Sequence, residues 1–108
     1  MKPVVFRGDA LDALRAFPQI ARRMAGYQID RVQRGLDPDD WKPMRVVGPG
    51  VREIRVRDGA GAFRVLYVAQ FAEVVYVLHC FRKQGRKTSP LDVELGKKRF
   101  KDLLKGMR

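Results

Sequence analysis

Cysteine, histidine and long apolar runs are what this chain has least of. The single cysteine, Cys80, cannot close an internal disulfide, and the single histidine, His79, leaves no Cys/His cluster with the spacing of a zinc site. The apolar stretch in MKPVVFRGD is too short for a secretory signal, and no window approaches the length of a membrane span. A reduced, cytoplasmic protein without membrane contact is the expectation, and no cofactor or metal is implied. GAG at 59–61 lacks the length and lysine of a phosphate-binding loop, and no acid pair or Ser/His/Asp set is evident. Repeats and low-complexity tracts are also missing, so the 108 residues read as one domain, 1–108.

What is abundant is positive charge. Lys and Arg number 23 against 12 acidic residues, a formal net charge of +11. Self-repulsion of that size points to a polyanionic partner, with nucleic acid first. The excess is concentrated at the C-terminal end, where residues 82–108 hold ten basic and three acidic side chains. An anionic lipid surface is the weaker alternative, because only that C-terminal segment has the makings of a cationic amphipathic helix.

Periodicity outlines an α+β fold. Val4–Phe6 is a short strand candidate; Asp9 stands where an N-cap belongs, before a helix bearing Ala10, Leu11, Leu14 and Phe17. Pro18 suits the first position of a second helix that Gly35 ends. LDPDDWKPM at 36–44 reads as a loop whose Trp41 plugs the seam between helices and sheet. Strand candidates at 51–57, 62–70 and 73–82 have short links, the second at Ala72, and form an antiparallel meander. Ser89, Pro90 and Asp92 then open a basic helix with Val93, Gly96, Phe100, Leu103 and Met107 on one face and Lys98, Lys101, Lys105 and Arg108 on another.

The alternation of side chains in a strand sorts these residues. Ile54 and Val56 point to the core, whereas Glu53, Arg55 and Arg57 share the other face. Phe63, Val65 and Tyr67 meet the helices, which turns Arg64 to the opposite, open side. Val77, His79, Phe81 and Lys83 are expected on one face of the third strand. Arg55, Arg64 and Lys83 thus form a candidate catalytic cluster of cations on three adjacent strands, suited to holding a phosphodiester and its five-coordinate transition state. The alternative is that these arginines merely pair with Glu53, Asp58 and Glu73. Arg57, Arg82, Arg86, Lys87, Lys98 and Lys101 are candidates for further RNA contact. His79 has the unperturbed pKa for acid–base work, yet its apolar flanks read as a buried, hydrogen-bonded histidine.

The succession W-K-P, R-E-I-R-V-R, F-R-V-L-Y, Y-V-L-H-C-F and K-T-S-P before a basic helix resembles the RelE-like toxins of type II toxin–antitoxin modules, in particular their phage-associated HigB-type branch. The resemblance runs from the second helix to the last. It implies helices on one side of a small antiparallel sheet, with an open basic face that cleaves mRNA in the ribosomal decoding site without a metal. By position it gives Arg64 the phosphate-stabilising role, with Arg55 assisting and Lys83 as the basic residue closing the next strand. A helix-turn-helix antitoxin is the implied partner, with DNA met only through it. Two other readings stay open, a ParE-type toxin that poisons gyrase and a non-catalytic phage nucleic-acid-binding protein.

Overall fold

The computed structural model describes residues 1–71 and 73–107. The link placed at Ala72 and the helix position of Arg108 lie outside the described residues. The elements are β1 Val4–Phe6, α1 Ala10–Arg15, α2 Gln19–Gln33, β2 Trp41–Pro43, β3 Val51–Asp58, β4 Gly61–Val68, β5 Val75–Arg82 and α3 Pro90–Gly106. The five strands form one sheet in the order β1-β5-β4-β3-β2. β2 to β5 make the antiparallel meander, and β1 adds to its edge in parallel. The α+β expectation holds, with a mixed sheet.

Chain chemistry explains the helix boundaries. Pro18 disfavours helical backbone at the residue before it, so α1 ends early and α2 starts at Gln19, one residue after its expected start. Gly35, at φ 84°, supplies the left-handed backbone that ends α2, with Leu36 N–H donating to the Arg31 carbonyl at 3.0 Å. Ser89 caps α3 by accepting from Asp92 N–H at 3.2 Å. Asp9 occupies the N-cap position of α1 without capping it. Its carboxylate instead accepts from Arg99 of α3 at 2.6 Å, and that bond holds its carboxyl below the usual carboxylate range.

Two apolar layers sandwich the sheet. On one side Leu14, Phe17, Ala21, Ala25 and Ile29 meet Ile54, Val56, Phe63, Val65, Tyr67, Val77 and Cys80. On the other, Phe100 and Leu103 of α3 meet Val51, Leu66, Val68, Leu78 and Phe81. Thus α3 covers part of the face expected to be wholly open. Its buried stripe ends at Leu103, and Met107 is exposed.

β5 changes phase in its middle. Tyr67 pairs with Val77 but Leu66 pairs with His79, so Leu78 is an extra, bulged residue. Val77 therefore faces α1 and α2 while Leu78, His79 and Phe81 face α3, which corrects the uniform alternation expected for Val77, His79 and Phe81. Arg99 donates to the Leu78 carbonyl at 3.0 Å, giving a partner to backbone at the bulge. His79 is buried as expected; its Nε2–H donates to Asp92 at 2.7 Å and its ring stacks on Phe81.

Cys80 lies on the helix side, only 2% exposed, and burial pushes its thiol up to about 12. At pH 8 it stays neutral in the native protein. Iodoacetamide should leave it unmodified over a time in which the urea-unfolded chain is fully labelled; equal rates in the two states would contradict this packing.

Candidate nucleic-acid interface

Paired residues of an antiparallel sheet share a face, so the register decides which charges meet. Arg55 lies directly opposite Arg64, Glu53 opposite Leu66, and Lys42 of β2 opposite Glu53. All of these lie on the α3 side of the sheet, Leu66 in the part that α3 covers and the charged residues next to it. The same register places Arg57 there too, opposite Ala62. Lys83 is fixed beside them because its backbone N–H donates to the Ala62 carbonyl at 2.8 Å. Arg55, Arg64 and Lys83 do converge.

Two arginines facing each other across a strand pair repel, so the arrangement needs compensation. Glu53 provides it from a position with no exposed surface. Its Oε1 is 3.3 Å from Arg64 Nε and 3.8 Å from Lys42 Nζ, and its Oε2 accepts from the Thr88 hydroxyl at 2.6 Å. Asp40 lies 3.8 Å from Arg55. The fit is incomplete: among the described residues, Glu53 Oε1 and the Nε atoms of Arg55 and Arg64 have no hydrogen-bond partner.

Arg64 is only 5% exposed, which corrects the expectation of a solvent-facing arginine. Its guanidinium donates to the Phe63 carbonyl at 3.0 Å and lines a recess of about 110 Å³ with Asp40, Arg55, Val56 and Arg57. Burial lowers its pKa against the opposing pull of Glu53, with Arg55 and Arg57 adding to the lowering. Burial also lowers that of Lys83, and the neighbouring Arg64 and Lys42 lower it further. The ammonium of Lys83 is thereby the more acidic for its surroundings.

Other sequence candidates separate. Arg82 pairs with Phe63 and so lies on the opposite side of the sheet, its guanidinium over the Phe63 ring and donating to the Ala60 carbonyl. Arg86 and Lys87 are exposed in the segment before Thr88. Lys98 and Lys101 are exposed on α3, and Lys98 lines a separate recess with Arg7, Gly8 and Arg99. Trp41 is not the seam plug expected: it begins the edge strand β2, half-buried, with the Arg52 guanidinium 3.8 Å from its ring centre. Arg52 pairs with Tyr67 on the helix side and bonds Asp37 at 2.9 Å, so it leaves the cationic face.

Lys42, Asp40 and Thr88 escaped the sequence reading. Reading 36–44 as a loop hid the pairing of Lys42 with Glu53, although W-K-P ahead of a strand carried the signal. Thr88 is 35 residues from Glu53, and no local pattern reports such a contact. No three His, Cys, Asp or Glu side chains among the described residues converge as metal ligands.

The sequence match gives the class, a RelE-like, toxin-like family, and the small α+β domain is compatible with it. Within that class, residues 12–101 match the family described as Phage derived protein Gp49-like (DUF891), and the chain belongs to it. No curated protein matches the sequence.

The Glu53–Arg64 pair yields a prediction. Removing one member of a buried pair strands the other's charge. Arg64→Leu should lower unfolding stability by on the order of 3 kcal/mol. The double variant Glu53→Leu/Arg64→Leu should recover most of that loss in urea titrations. Additive losses would show that the two do not compensate each other.

Proposed function

We propose that this protein is the toxin of a type II toxin–antitoxin module, a HigB-type endoribonuclease that cleaves mRNA on the ribosome and stops translation. The observation that carries the reading is the convergence of Arg55 of β3, Arg64 of β4 and Lys83, the residue after β5, on one face. In the proposed reaction an RNA 2′-hydroxyl attacks the adjacent phosphorus, losing its proton to water, and the 5′-oxygen leaves. Arg64 and Arg55 hold the non-bridging oxygens and answer the charge that grows on them. Lys83, whose ammonium is made more acidic by its neighbours, gives its proton to the 5′-oxygen. The products are a 2′,3′-cyclic phosphate, which water can open to a 3′-phosphate, and a free 5′-hydroxyl.

Arg57, Arg86, Lys87, Lys98 and Lys101 supply contacts to RNA phosphates outside this centre. With only a small recess of about 110 Å³ at the cations, the ribosome does the positioning of the substrate that a large cleft would do. A helix-turn-helix antitoxin is the partner that guards the host. It has two surfaces to cover, the cationic face and the exposed Ile20, Met24 and Tyr27 on α2. Met24→Glu loosens the toxin–antitoxin complex if α2 carries the contact, and Arg57→Glu does so if the cationic face does. A complex indifferent to both removes both surfaces.

The function is tested by adding the protein to a translating extract and mapping mRNA 5′ ends, with a gyrase supercoiling assay alongside. Cuts in step with codons, bearing 5′-hydroxyls, are expected. Intact message, or inhibition of supercoiling in its place, overturns the reading. Lys83→Met should cut roughly 100-fold more slowly or worse at an unchanged melting temperature. Equally fast cleavage of ribosome-free mRNA would remove the ribosome from the mechanism.

The α3 lysines stand apart from the cluster and generate their own outcome. Lys98→Glu/Lys101→Glu should weaken ribosome association and flatten its dependence on salt, because fewer counterions are released. An unchanged slope would make α3 a solvated surface only.

A further inference from the structure

We infer that Glu53 and Thr88 are a positioning pair that holds the cations of the β5–α3 segment in register with Arg64, so that both sets grip one RNA backbone together. The inference rests on reading the cationic face as an RNA-binding site.

Glu53 reaches three elements from a single buried carboxylate. One oxygen answers Arg64 of β4 and Lys42 of β2, and the other accepts from Thr88 at 2.6 Å across 35 residues of sequence. Such a short bond from a hydroxyl to an ionised carboxylate belongs to the stronger class of hydrogen bond. The segment it restrains is otherwise loosely attached. Residues 84–87 are exposed, and Gly85 at φ 78° turns the chain between Lys83 and Arg86. Lys83 N–H on the Ala62 carbonyl fixes one end of the segment, and the Ser89 cap ties the other to α3. Between them the Thr88 hydroxyl joins the segment to the floor of the site. Arg86 and Lys87 are thus carried by a tether whose other end compensates Arg64.

This arrangement also accounts for the residue type at 88. Valine has nearly the same shape without the donor, whereas serine keeps the donor. A role in packing alone would tolerate valine better than serine; a tether requires the reverse.

The test is binding of a short single-stranded RNA with every 2′-hydroxyl methylated, which cannot be cleaved, to the parent, Thr88→Ser and Thr88→Val. Thr88→Ser should bind as the parent does. Thr88→Val should bind about tenfold more weakly, the size of effect expected from losing one charge-assisted bond. Its log–log salt slope should also be shallower by about 1.4, two phosphate contacts at about 0.7 each. Parent-like affinity and slope in Thr88→Val, or equal losses in both variants, overturns the inference. If the parent itself binds no RNA, the site does not grip RNA apart from the ribosome, and the tether is judged on its own by amide hydrogen exchange at residues 84–88. Faster exchange in Thr88→Val than in Thr88→Ser upholds it, and equal exchange overturns it.

Discussion

A carboxylate with no exposed surface has to find its counter-charge inside the protein, and around Glu53 the site is built to meet that demand. Arg64 is drawn to 3.3 Å and is itself buried, Lys42 is held at the rim, and Thr88 turns inward. In return Glu53 allows Arg55 and Arg64 to stand opposite each other, which two cations on a bare strand pair would resist. For the proposed function the consequence is preorganisation. A guanidinium buried against a carboxylate has little freedom left to lose when a phosphate arrives, and the dry surroundings strengthen its field.

That architecture depends on the two sides of the sheet being different. The α1 and α2 side is apolar nearly throughout, whereas the α3 side is divided between an apolar part under Phe100 and Leu103 and the cationic part beyond it. The bulge at Leu78 maintains the division. Without the extra residue, the alternation set by Val77 would put His79 and Phe81 on the helix side and send Cys80 to the other. With it, Phe81 pairs with Arg64 on the α3 side, and Lys83 follows two residues later beside the cluster. Arg99 and Asp92 hold α3 against this irregular stretch through the Leu78 carbonyl and His79.

Much of this was legible in the sequence because strand alternation is a strong signal where both faces are patterned. Ile54, Val56, Phe63, Val65 and Tyr67 were placed on the helix side and Glu53, Arg55, Arg57 and Arg64 on the other from periodicity alone, and the structure agrees. Burial was not legible. An arginine on the polar side of a hairpin looks exposed until Phe81 and Glu53, on the strands to either side, close around it. The edge strand β2 was hidden among prolines and aspartates that mark loops. Asp9 stands at the N-cap position as its identity suggests, but its carboxylate bonds Arg99, 90 residues away, and no local pattern reports that partner.

The central claim is that Arg55, Arg64 and Lys83 engage one phosphate together. NMR of the arginine guanidinium and lysine ammonium groups during titration with a short RNA, made uncleavable by methylating every 2′-hydroxyl, tests it most directly. The signals of all three residues should shift with one shared dissociation constant, and those of Arg82, on the opposite side of the sheet, should not move. Shifts confined to Lys98 and Lys101, with the three strand cations unmoved, would contradict it.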